Sequence, residues 1–104
     1  MATDTHEVKV NLSKRKAAQL FNNVVRLEDP ELQIELYKQV IKLDPTHSGA
    51  MNNLACLYLE LKSEKPEEME ENRSIAKEYY EEAIKLGHIG AKRNLQLLDM
   101  VILS

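Results

Sequence analysis

The chain contains no tryptophan and a single phenylalanine, beside four tyrosines. Its core therefore has to be built from aliphatic side chains, alanine and tyrosine. There is one cysteine, Cys56, which excludes an internal disulfide and suits a reducing compartment. Glycine and proline number three each, and they fall where helices are expected to end or begin. No stretch is apolar for long enough to span a bilayer, and the N-terminal region has no apolar core of signal-peptide length. A cytoplasmic address is the expectation. No glycine-rich phosphate-cradling loop is present, nor an H-x-x-x-H or C-x-x-C spacing, so His6, His47, His88 and Cys56 predict no metal site and no nucleophile. A net charge of −3 gives a field that does not favour nucleic acid or an anionic membrane. Lys14-Arg15-Lys16 and Lys92-Arg93 are too short to reverse that.

At 104 residues the chain is one domain. Apolar residues make up 43% and charged residues 30%, the balance of a soluble helical protein. A chain of this size buries roughly 60–70% of its unfolded surface.

The stretch from Ser48 to Gly90 organises the rest. Met51, Leu54, Ala55 and Tyr58 recur at the spacing of one helix face. Ala76, Tyr80, Ala83 and Ile84 form a second stripe, again alternating small and large. Pro66 between them suits a helix start, and Gly87 a left-handed helix end. Two antiparallel helices follow from this pattern. The same spacing recurs in Ala17, Leu20, Phe21 and Val24, 34 residues earlier, and in Asn94, Leu97, Leu98 and Val101, 43 later. Tyr37 and Val40 stand 43 residues before Tyr80 and Ala83. The difference between 34 and 43 places an insertion of nine residues between Tyr58 and Ala76. Self-similarity at such a period is the signature of a stacked repeat array.

The expected fold is all-α: antiparallel helical-hairpin repeats (an α-solenoid), two hairpins plus a C-terminal helix. Residues 1–11 are expected to be a mobile tail and 12–104 the repeat domain. Copy one spans 14–47, copy two with its insertion 48–90, and a half copy 91–104. Helices are predicted over 12–27, 30–43, 47–62, from the charged connector 63–71 to 86, and over 89–103. Asp29-Pro30-Glu31 is a strong start signal.

The Leu-Ala-x-x-Tyr and Ala-x-x-x-Tyr spacings and the Leu43-Asp44-Pro45 ending resemble the tetratricopeptide repeat. The run YYEEAIKLGHIGAKRNL is similar to the related Sel1-like repeat. The resemblance covers 14–101, with Met51 in place of the usual Trp, Phe21 and Leu98 at a small-residue position, and Gln33 in place of the usual Ala. It implies a non-catalytic protein-interaction module, adaptor- or co-chaperone-like, without a cofactor, holding a protein or peptide in a concave groove lined by the first helices of successive copies. Projected onto that groove are Arg15, Asn22, Asn52, Asn53, Lys92 and Gln96, with Ala18 and Cys56 among them. Some tetratricopeptide domains hold a terminal carboxylate with two Lys, two Asn and one Arg. Asn22, Asn53 and Lys92 match that set, while Ala18 and Gln96 do not. The same asparagines also suit a purely structural role, orienting backbone and neighbours.

The other functional reading is self-association. Leu97, Leu98 and Val101 are expected to pack on the fourth helix. Leu95, Ile102 and Leu103 are then left as an oligomer or partner surface, which would give a homodimer. The carboxylates from Glu67 to Glu82 read as a solvated helix face rather than an acid/base pair.

Overall fold

Proline and aspartate set the second helix. Asp29 accepts a hydrogen bond from the Glu31 amide at 3.1 Å, and Pro30 fills the first helical position, where no amide hydrogen is needed. Helix α2 runs Pro30–Leu43. Helix α4, Pro66–Lys85, also opens on proline. It ends where Gly87 takes a φ of 88°, and the His88 amide turns back to the Ala83 carbonyl at 3.0 Å. Helix α3, Ser48–Glu60, and helix α5, Ile89–Leu103, both start behind a histidine. The Nδ1 of His47 accepts from the Ala50 amide at 3.1 Å, and the Nδ1 of His88 accepts from the Ala91 amide at 2.9 Å. These are N-caps, so two of the three histidines hold helix ends. The computed structural model describes residues 5–103, with side chains described as far as Val101.

Helix α1 spans Thr5–Val24 rather than 12–27. Residues 5–11 carry no helix breaker, so the helix extends toward the N-terminus although these side chains stay exposed. Its last turn tightens, with the Arg26 and Leu27 amides donating to the Asn23 and Val24 carbonyls at 3.2 and 3.0 Å, and the Gln33 side chain also donates to the Val24 carbonyl at 3.3 Å. That bond accounts for glutamine where the repeat usually has alanine. Helix α3 likewise stops at Glu60, short of 62.

Among the described residues all regular structure is helical, and the helices pack in chain order as hairpins α1–α2 and α3–α4 with α5 against α4. Helix α3 holds the array together with two faces. Ala50, Leu54 and Leu57 join Ala17, Val24, Ile34, Tyr37 and Val40 in one apolar cluster. Met51 and Ala55 join Ala76, Tyr80, Ala83, Ala91 and Leu98 in the next. The small residues Ala17, Ala50, Ala55, Ala76, Ala83 and Ala91 are all fully buried. Each is a point where two helices come close.

Candidate functional site: the face of the first helices

Helices α1, α3 and α5 lie beside one another along one face. The Phe21 ring of α1 sits 4.6 Å, centroid to centroid, from the His47 ring that caps α3. Asn94 of α5 donates from Nδ2 to Asn52 Oδ1 of α3 at 3.0 Å, and its Nδ2 lies 3.9 Å from Cys56 Sγ. Asn53 donates to the Tyr37 hydroxyl at 3.2 Å, and Cys56 Sγ shares a hydrogen bond with the Tyr80 hydroxyl at 3.1 Å. Burial first, and the Cys56 bond second, push the Tyr80 phenol well above the usual tyrosine range. These polar groups satisfy one another along the joint between copies, and none of the described buried side-chain nitrogens or oxygens is left without a partner.

The equivalence of α5 to α3 differs from the one read in the sequence. His47 and His88 make the same cap, and His47-x-Gly49-Ala50 matches His88-x-Gly90-Ala91, an offset of 41 rather than 43. Under that offset buried Ala50, Leu54 and Leu57 correspond to Ala91, Leu95 and Leu98. Ala91 and Leu98 are buried, and Leu95 packs half-buried against the second cluster. Leu95 is therefore part of the core side of α5 and not a free partner surface. Leu97 and Val101, expected to pack on α4, are instead 53% and 69% exposed. The side chains of Ile102 and Leu103 lie outside the described residues.

The same shift of two residues, about 200° around a helix, moves the expected groove residues. Lys92 and Gln96 correspond to Met51 and Ala55, which in α3 point at the following hairpin. The groove positions of α5, equivalent to Asn52, Asn53 and Cys56, are Arg93, Asn94 and Leu97. Arg15 and Asn22 are exposed on α1, and Asn52 and Asn53 are half-buried on α3. The structure brings Asn52 to Asn94 and Asn53 to Tyr37, and it does not bring Lys92 to Asn22 and Asn53. Sequence reasoning missed Arg93, Asn94 and Leu97 for one reason. Asn94, Leu97, Leu98 and Val101 happen to satisfy the i, i+3, i+4, i+7 pattern, which outweighed the recurring His-x-Gly-Ala.

Two clefts open at repeat-equivalent places. One, of about 230 Å³, is lined by Gln33, Tyr37, Asn53, Cys56, Leu57 and Glu60. The other, of about 390 Å³, contains the counterparts Tyr80, Asn94, Leu97, Leu98 and Val101, together with Leu59, Met69 and Arg73. The first is mostly polar, the second mostly apolar. Away from this face, Tyr58 and Tyr79 stack at 6.1 Å with the Lys38 ammonium 5.7 Å from the Tyr58 centroid. Glu78, Glu81 and Glu82 border that aromatic pair, all exposed. Lys85 pairs with Glu82 at 3.2 Å. Among the described residues no group of three His, Cys, Asp or Glu side chains is placed to hold a metal ion, and no helix is long and apolar enough to cross a membrane.

Fold and joint define the class: an all-α array of helical hairpins in which α3 belongs equally to the unit before it and the unit after. Residues 36–74 match the family model described as Tetratricopeptide repeat, a span that takes in the second half of α2, all of α3 and the first half of α4. That stretch is similar to a tetratricopeptide repeat, within an all-α array of helical hairpins, and such repeats in general mediate protein–protein interaction. No curated protein matches the sequence.

Proposed function

We propose that the protein is a non-catalytic adaptor that holds a segment of another protein along the face of α1, α3 and α5, in a cytosolic setting consistent with its unpaired Cys56. The observation that carries this reading is the pair of repeat-equivalent clefts, opened at successive joints and bordered by Asn53 and Asn94. A segment crossing both would meet side-chain amides able to donate to its backbone. Arg15 and Asn22 continue the same face on α1, where their side chains are exposed. The reading does not include a terminal-carboxylate clamp, since Lys92 stands on another side of α5. Affinity capture from a cytosolic extract with the wild-type chain and with an Arg15→Glu, Asn22→Arg variant tests the reading. The expected outcome is a set of bound proteins lost with the variant and kept with a Glu78→Arg, Glu81→Arg control. Equal retention by both variants would count against the face.

A second reading is self-association. Leu97, Met100 and Val101 are exposed on α5, and these residues, rather than Leu95, would make the contact. Sedimentation of a Met100→Gln variant beside the wild type separates the two readings.

A further inference from the structure

The two clefts are the same place in successive copies, so the differences between them show what the second has become. Cys56 in the first is replaced by Leu97 in the second, and Glu60 by Val101. Both changes remove polarity. The insertion adds the remaining wall. Tyr37 lies 7 residues after Pro30, whereas Tyr80 lies 14 after Pro66, so α4 begins about two turns earlier than α2. Met69 belongs to those added turns, and Arg73 stands where α2 has its first proline. Both line the cleft, with Leu59 of α3 and Leu97, Leu98 and Val101 of α5. The inserted residues are thus a helical wall and not a solvated loop.

Arg73 is the one charged group in that lining. It is half-buried, and the ion pairs among the described residues are Lys65 with Glu68 and Lys85 with Glu82, so none of the described carboxylates is paired with its guanidinium. Arg93, exposed, lies one turn before Leu97 on the same helix. The acidic side chains Glu78, Glu81 and Glu82 border a different cleft. An apolar cleft with a planar guanidinium in its lining, paired with none of the described carboxylates, fits an apolar side chain set beside a carboxylate.

We infer that the cleft between the N-terminal turns of α4 and the C-terminal half of α5 takes an apolar side chain of a partner protein, with an aspartate or glutamate of the same internal segment pairing with Arg73. This rests on the reading of the α1, α3, α5 face as a binding face, and names the chemistry that one end of it selects.

The test uses the full chain and a set of acetylated, amidated heptapeptides. Each places Leu, Ile, Met or Phe one to four residues from Asp or Glu. Matched sets carry Lys for the acid, Ser for the apolar residue, or a free C-terminal carboxylate without an acidic side chain. Binding is read by fluorescence polarisation and mapped by amide chemical shifts. The acid–apolar set is expected to bind best and to perturb Met69, Arg73 and Leu97. Arg73→Glu should weaken it about tenfold, the scale of one charge-assisted hydrogen bond, and move preference toward the Lys set. Leu97→Gln should weaken every apolar member. Both side chains are off the buried core, and far-ultraviolet circular dichroism confirms that the variants fold. No binding by the amidated acid–apolar set, or an unchanged acid preference in Arg73→Glu, overturns the inference. So does a requirement for the free terminal carboxylate. Shifts confined to Arg15, Asn22 and Asn53 overturn it while leaving the binding face itself standing.

Discussion

Tyr80 shows how one side chain serves both core and joint. Its ring is 2% exposed in the second cluster, and its hydroxyl is held by Cys56. A buried phenol is stable only while protonated. The folded-state pKa lies above the unfolded value of about 10. Stability is therefore undiminished below about pH 10 and falls as pH rises through the interval between the two. Thermal melts between pH 8 and pH 12 should show this loss, and Tyr80→Phe should flatten it. At neutral pH the same variant loses the bond to Cys56, at a cost of about 1 kcal/mol. Gly87 makes a separate case. At a φ of 88°, with open space where a Cβ would sit, Gly87→Ala should cost about 1–2 kcal/mol from backbone strain alone. Denaturant melts check it, and a cost near zero would show that the α4–α5 turn relaxes. This position was legible from sequence, because a glycine just past a periodic stripe has one common use. The bond of Asn94 to Asn52 was not, because polar pairs across a joint follow no spacing rule.

At the scale of elements, proline, glycine and the tyrosine spacing placed α2, α5 and the end of α4 within a residue or so, since each has a local steric cause, while the start of α4 at Pro66 lay inside the stretch read as a charged connector, 63–71. The start of α1 had no such cause. Thr5 to Asn11 has mixed polarity and no periodic apolar face to reveal a helix. The histidine caps were hidden because histidine is an unusual residue to accept from a helix N-terminus. His88→Ala should remove the acceptor for the Ala91 amide and cost about 1 kcal/mol, with His88→Asp restoring most of it. Hydrogen exchange at Ala91 reports directly, and unchanged protection in the alanine variant would show that the cap is idle. Gly90→Ala should act through the same cap, because its new Cβ would lie 3.0 Å from His88 Cε1.

At the scale of the whole molecule, α5 differs from α1 and α3 in the face that matches their stacking face. The principal extents of 60 × 27 × 21 Å describe a short row of helices in which each internal helix has neighbours on two sides. Helix α3 buries Met51 and Ala55 against the hairpin that follows, with Tyr58 half-buried beside them. Helix α1 does the same with Ala17 and Val24, and with Phe21 half-buried. The corresponding positions of α5, at the offset the caps establish, are Lys92, Gln96 and Asp99. The side of α5 on which another hairpin would stack is polar, unlike the matching sides of α1 and α3. The exposed apolar residues Leu97 and Val101 lie instead on the cleft side. Reading α5 from its apolar spacing alone reversed these two faces, because a shift of two residues carries each side chain more than halfway round the helix. The polar face makes a sharp prediction. Lys92→Met, Gln96→Ala and Asp99→Tyr together would write the α3 stripe onto α5 and leave about three unburied contacts of the kind that holds α3 to α4. The triple variant should keep its helical content and sediment as a concentration-dependent oligomer, while the Leu97→Gln variant should leave the sedimentation of the wild-type chain unchanged. If the triple variant sediments as the wild type does, the polar face is not what keeps α5 from stacking on another copy, and the equivalence of His88 to His47 does not extend along the helix.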